Sequence, residues 1–376
     1  MHRMTQSGVW HLKWLTSWDE IWAPGFLSVW RKVISASGTP HVFFEPQLVR
    51  WWLSRYGTVG RILPCFCLAQ SATGCQALYP LIRVQANWKK GWIRTVEPIG
   101  LEGFDYLEPL FSCLPDPDSL QAFWREFCGE VVERFGESCQ QIRIPRIRSR
   151  QTGAYAGFSQ TGRSPQMALK GKKTLDEVLS CVHKQLRQDV RRQNRRLEAL
   201  GPVRLRVFKS DETTDAKAIL PDFEKWLDAR WPRSIDGSTY FSSLIDACLP
   251  EGYVHVSCLY CGDRAISAHV GFLHRHHFYY YKPAYDVEYS QYSPGKVHLA
   301  ALIESLLHQN VQTFDFLRGC EPYKLLWTKE FEELYSMEIT PPGLTAALAP
   351  YTRGLIPRAI RKYRRIRLNR HRDKVQ

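Results

Sequence analysis

The sequence predicts a mixed α/β fold with α+β sheets, divided into two consecutive modules and closed by a basic tail. Three observations carry that prediction. The 376 residues are 44% hydrophobic and 13% aromatic, enough apolar surface for more than one core and too much for a disordered or collagen-like chain. Apolar residues recur with a helical period in some stretches and alternate with a strand period in others. Between Glu137 and Lys173 the composition turns to Arg, Gly, Ser and Gln, separating two differently patterned halves. The expected organisation is a first module over residues 1–150, a second over 151–345 and a tail over 346–376.

In chain order, Phe26–Ser35 and Pro46–Tyr56 read as helices on either side of a short strand, His41–Phe44. Ala77–Val84 and Trp92–Glu97 read as strands, and a helix over Ser119–Phe135 closes the first module. In the second module, Thr174 with Glu177 forms a capping box in which each side chain satisfies a free amide of the first turn. From there Leu175, Val178, Leu179, Val182, Leu186, Val190 and Leu197 fall within roughly 120° at helical pitch, while Lys184, Arg187, Arg191, Arg192 and Arg195 lie mostly opposite. One long helix ending at Gly201-Pro202 is expected. An extended run at Val203–Lys209 and a helix over Ala216–Arg230 follow. Tyr253–Tyr260, Ala265–Leu273 and His276–Lys282 are aromatic and β-branched runs joined by turn-like segments, so an antiparallel meander is expected. The period then changes: Gly295 opens a helix through Leu307, and Thr313–Leu317 returns as a strand.

Lysine and arginine number 51 against 37 acids, and the stretch 351–376 holds ten of them against the single acid Asp373. That balance favours anionic partners. In the tail, Leu355, Ile356, Ala359, Ile360, Tyr363 and Ile366 recur at helical spacing among the cations, the pattern of an interfacial helix. No run of about 18 apolar residues occurs, and Met1–Trp18 lacks the apolar stretch of a secretory signal. The expected location is cytoplasmic, peripheral at the inner face of the cell membrane through the tail. Eleven cysteines, an odd count in mostly apolar contexts, read as reduced thiols.

Two stretches gather groups capable of chemistry. Tyr292-Ser293-Pro294-Gly295-Lys296 enters a helix, and unbonded amides at a helix N-terminus favour phosphate; an ordinary Pro-Gly helix start has the same spacing. Further on, Asp315, Arg318, Tyr323 and Lys324 stand where a strand leaves its sheet, the place where α/β folds hold ligands. An internal Asp315–Arg318 pair that only fixes the loop is the competing reading. His269, in mid-strand, is a candidate base or a hydrogen-bonded core histidine. His274, His276 and His277 read as exposed turn residues. His255, Cys258 and Cys261 have metal-like spacing without a second pair, so no metal is expected. The Lys184–Arg196 face is basic without interleaved aromatics, which argues against nucleic acid.

The order of these segments carries a resemblance. Arg187, Asp189, Arg191, Arg192, Arg195 and Arg196 before Gly201, then Ala229-Arg230-Trp231, Tyr279–Asp286, Tyr292–Gly295 and Asp315–Lys324 together resemble the GNAT-type acetyltransferases of the CelD/BcsL (cellulose-biosynthesis) family, relatives of Fem-type peptidyltransferases. The resemblance spans roughly residues 170–330, and more loosely the first half through Trp22, Pro24, Phe26, Trp30 and Phe104-Asp105-Tyr106. It implies two tandem GNAT-like modules, acyl-CoA as donor, and Ser293, Gly295, Lys296 and Val297 around the CoA pyrophosphate. It also implies catalytic roles for Asp315 and Lys324, with Tyr323 as acid towards the leaving thiolate, and acceptor contacts from Arg187, Arg191, Arg318 and Trp231; His269 is an independent candidate base. The common signature Arg/Gln-x-x-Gly-x-Gly/Ala is not present around Gly295. The implied function is acyl-CoA-dependent N- or O-acyl transfer to a cell-envelope acceptor, a polysaccharide or lipid-linked sugar precursor. Alternatives are a lipid amine such as a sphingoid base as acceptor, an aminoacyl-tRNA-dependent transferase, and a non-catalytic binding protein of the same fold.

Overall fold

The computed structural model describes residues 9–38, 40–57, 62–85, 93–230 and 239–342. Trp231 and the tail beyond 342 lie outside the described residues. By contacts the described residues form two units: those up to Thr161 together with residues 334–342, and those within Gly162–Glu333.

The first unit opens with β1 (Trp10–Leu15), α1 (Trp18–Trp22), α2 (Pro24–Ala36) and α3 (Pro46–Tyr56), followed by β2 (Ile62–Pro64), β3 (Phe66–Ser71), β4 (Gln76–Tyr79), β5 (Leu81–Val84), β6 (Thr95–Pro98) and β7 (Leu110–Phe111). Then come α4 (Pro117–Phe135), β8 (Gln141–Arg148) and β9 (Ser159–Ala168), the last belonging to the second unit from Gly162 on. Strands β1, β3, β4 and β7 make one antiparallel sheet. A second ladder runs β2–β5–β6 antiparallel and continues parallel from β6 to β8 across the α4 crossover. The expected strand at His41–Phe44 is instead a 3-10 turn over Val42–Phe44, whose three side chains are fully buried. A three-residue apolar run serves either geometry, and here tertiary burial decided. The Arg- and Gly-rich stretch after Glu137 contains the strands β8 and β9, where the sequence predicts a junction. Cys75 and Cys113 form a disulfide, against the expectation of thiols throughout, because the antiparallel β4–β7 pairing brings residues 38 apart in sequence opposite one another. The other nine cysteines are free.

The second unit continues with α5 (Leu175–Ser180), α6 (Lys184–Glu198), β10 (Val203–Phe208), α7 (Thr213–Ala218), α8 (Leu220–Arg230) and α9 (Tyr240–Cys248). The meander β11 (Val254–Cys261), β12 (Arg264–His274) and β13 (His277–Tyr285) follows, then α10 (Pro294–His308), β14 (Thr313–Asp315), α11 (Pro322–Leu325) and β15 (Glu330–Ile339), the last belonging to the first unit from Leu334 on. The sheet order β10-β11-β12-β13-β14-β9 is antiparallel except where α10 carries the chain from β13 to a parallel β14. The mixed α/β class expected from the sequence is the class observed. The single long helix expected from Thr174 is two, α5 and α6, parted at Cys181–His183. Thr174 accepts from the Glu177 amide at 3.2 Å, but the Glu177 carboxylate reaches the Lys173 amide, one residue earlier than a capping box requires. At the β12 bulge, a Cβ on Gly271 would collide with the His269 ring and the Tyr279 carbonyl, so only glycine fits.

Candidate active site

Strand β14 pairs with β13 over three residues only, ending at Tyr279↔Asp315. The chain then turns toward β9, with the Phe316 amide on Pro165 O at 2.9 Å and the Gly319 amide on Arg163 O at 3.1 Å. Tyr280–Tyr285 are thus left without a neighbour on that side. Pro283, which has no amide to donate, sits within this unpaired stretch. Residues of this unpaired stretch of β13 line a cavity of about 180 Å³. One wall is Tyr280, Tyr285 and Pro283; the other is Tyr323, Leu326 and Trp327; Ser293, Gly295 and Lys296 of the α10 entrance and Arg230 complete it.

The α10 entrance is built from its sequence. Ser293 adopts a left-handed conformation (φ 50°, ψ 52°) and Pro294 occupies the first helical position, its ring already set for the helix. Pro294 has no amide, and the Lys296 and Val297 amides turn back to Ser293 O at 2.9 and 3.4 Å. That leaves the Gly295 amide as the donor of the first turn with no partner among the described residues, at the positive end of a 15-residue helix. Lys296 Nζ is held by Asp189 Oδ2 at 2.5 Å, and Arg192 meets the other oxygen at 2.6 Å. Burial pushes the Asp189 carboxyl up, but the hydrogen bonds and charges of Lys296 and Arg192 outweigh it and hold the group below the usual carboxylate range. Asp189, Arg192 and Lys296, with His183 and Leu326, also line an open groove of about 600 Å³ that shares Lys296 and Leu326 with the narrow cavity.

Tyr323 projects into the cavity and its hydroxyl has no hydrogen-bond partner among the described residues. Burial first, then the Glu321 carboxylate, raises its pKa, with Arg230 opposing; the phenol is neutral. Among the described lining residues there is no carboxylate or imidazole.

The other expected site residues stand elsewhere. Asp315 is fully buried and accepts from Ser164 Oγ (2.9 Å), Gln166 Nε2 (2.9 Å) and the Leu317 amide (2.7 Å), with His277 Nε2 at 3.1 Å. Lys324 is buried too; its Nζ donates to the carbonyls of Leu317, Arg318 and Gly319 at 3.1–3.4 Å and pairs with Glu321 at 2.8 Å. Neither lines the cavity. His269 is one ring behind it, fully buried and stacked on Tyr280 at 4.4 Å and 8°, with neither nitrogen hydrogen-bonded. Burial, then the neighbouring His255 and His298, drives its pKa well below the ordinary value, so the ring is neutral. Val297 packs in the core with Leu197, Leu259 and Ile266. Arg187 and Arg191 ride on α6, Arg191 paired with Asp176 at 2.7 Å, and Arg318 is exposed on the loop after β14. His274 is buried and His277 is bound to Asp315, so of the three turn histidines only His276 is exposed as expected. Sequence reasoning did not single out Tyr280, Tyr285 and Trp327 as site residues; the switch from paired to unpaired edge along β13 leaves no mark in its alternation.

Residues 184–325 match the family model described as Acetyltransferase (GNAT) domain. No curated protein matches the chain. Among solved structures the chain is similar to FemX, with a TM-score of 0.57 and 10% identity over 82% of this chain and 95% of that one. It is also similar to a conserved protein of unknown function from Bacteroides thetaiotaomicron, with a TM-score of 0.51 and 11% identity over 84% of this chain and 97% of that one. At such identities the likeness is one of fold. The chain therefore has a GNAT-type domain over residues 184–325, on a mixed α/β fold of the kind seen in FemX.

Proposed function

We propose that the protein is an acyltransferase that takes its acyl group from acyl-CoA and passes it to a cell-envelope acceptor. The observation that carries this is the cavity beside the unpaired stretch of β13 in which the α10 entrance, Arg230 and Tyr323 meet, inside the segment that matches the GNAT domain. Acyl-CoA, when bound, supplies the acyl group as a thioester. The Gly295 amide and the α10 dipole favour a phosphate, and Lys296, fixed by Asp189, adds a positive charge facing the open groove. Tyr323 holds a proton at Oη within the cavity and can give it to a leaving thiolate. His269 supports the Tyr280 wall of the cavity by stacking on its ring. Asp315 and Lys324 are positioning residues: together they hold the Leu317–Glu321 loop that leads into Tyr323.

The acceptor class, a polysaccharide or lipid-linked sugar precursor, rests on the CelD/BcsL resemblance, as does the interfacial role of the tail. The donor is tested by calorimetry. A Cβ at Gly295 would sit 3.4 Å from Tyr285 Cδ1, so alanine fits there while the branches of valine fill the space beside the free amide. Acetyl-CoA should bind the wild type and Gly295→Ala, and bind Gly295→Val far more weakly. Equal affinity in a folded Gly295→Val protein refutes the assignment.

A further inference from the structure

The outer face of α6 carries a row of cations beside two bared leucines; of these the reaction proposed above uses only Leu326, as part of the cavity wall. Lys184, Arg187, Arg191 and Arg195 fall within about 80° of arc at helical pitch, turned away from the buried Leu186, Val190 and Leu197. Arg191 meets Asp176 with both side chains exposed, a pair worth little in water. Lys184, Arg187 and Arg195 have no ion pair among the described residues. The helix has six cations against Asp189 and Glu198, and Asp189 is already held by Lys296 and Arg192. Next to it, Leu326 lines the open groove together with α6, and Leu325 and Leu326 are 40% and 44% exposed.

Charge and chemistry select the occupant. Cations flanking exposed aliphatics suit an anionic leaflet, where headgroup phosphates meet the charges and the acyl boundary takes the leucines. A nucleic acid would use the cations but stacks its bases on aromatics, and α6 has none. We infer that the α6 face and Leu325-Leu326 form a docking surface for an anionic lipid bilayer, distinct from the basic tail. Docking there would turn the open groove towards lipid-linked acceptors. Only that consequence rests on the acyltransferase reading; the docking does not.

The test uses the full chain and a Lys184→Gln/Arg195→Gln/Leu325→Ser variant, none of whose residues lines the narrow cavity. Partition is measured by co-sedimentation with phosphatidylcholine vesicles, neutral or about one-third phosphatidylserine, at low salt. Each cation is worth about fivefold at an anionic surface, so the variant should bind the anionic vesicles about 30-fold more weakly, with an unchanged melting curve and unchanged acetyl-CoA affinity. Unaltered binding by the variant, equal binding of wild type to neutral vesicles, or displacement of the vesicles by an RNA homopolymer overturns the inference. Failure of the wild type to bind acetyl-CoA would sink the acyltransferase reading and leave the vesicle result standing.

Discussion

Tyr323→Phe removes one oxygen from the cavity wall and leaves the ring in place. The hydroxyl has no hydrogen-bond partner among the described residues, so its loss orphans nothing, and stability should change by less than about 1 kcal/mol. The ring keeps its packing against the Phe278, Tyr280 and Phe314 cluster. Turnover should suffer far more, because loss of a positioned general acid costs about 10²- to 10⁴-fold. Burial and Glu321 raise the phenol's pKa above its ordinary value, so the proton stays in place through the neutral and mildly alkaline range and no falling limb from this group is expected there. The assay follows thiol release from acetyl-CoA with a chromogenic disulfide, and repeats it with an aryl thioester whose leaving group needs no proton. The defect should be large with acetyl-CoA and shrink with the aryl donor. A variant within about threefold of wild type on acetyl-CoA, well short of the usual acid contribution, refutes the role of Tyr323.

Three further outcomes follow from the same geometry. Asp315→Ala would strand Ser164, Gln166 and the Leu317 amide, and Lys324→Met three loop carbonyls; at about 1–3 kcal/mol per orphaned group, denaturant titration should show both variants strongly destabilised. If they instead keep full stability and lose only turnover, they are catalytic residues and not loop supports. His255, His269 and His298 are buried and neutral, the first held down to about 4 and the last to about 3. Because their folded values lie below the unfolded value of about 6.5, the unfolded chain binds more protons, so stability is full above that pH and falls as pH drops below it; unfolding at pH 5 should take up close to three protons from this group, and an uptake near zero contradicts their burial. Asp189 has the same sense at lower pH: its depressed pKa gives stability present above the ordinary carboxylate range and lost as pH falls through the folded value. Asp189→Asn should flatten that part of the acid limb and weaken acetyl-CoA binding by loosening Lys296, and an unchanged acid limb contradicts the pairing.

Much of the fold is legible in the sequence where period and punctuation agree. Pro46–Tyr56 is a helix as read, and the meander's hairpins fall where Gly262 and Arg275 take positive φ. The break between α5 and α6 is not legible, because Val182 keeps the apolar stripe and packs on the same core. The site is legible in part. The Pro-Gly entry to α10 and Tyr323 stand out as local chemistry, and the structure brings both to one cavity. Asp315 does not reveal its role, since its partners Ser164, Gln166 and His277 lie 38 to 151 residues away. Local sequence shows a carboxylate in an apolar strand; only the fold shows it saturated.

Hydrogen exchange with and without acetyl-CoA tests the central claim most directly, since it locates the donor without any substitution. Protection should appear in peptides covering Tyr285–Leu299 and Pro322–Trp327, the two walls of the cavity. Protection confined instead to the polar groove lined by Arg206, Asp222, Tyr260 and Arg264, with the α10 entrance unchanged, would contradict the account.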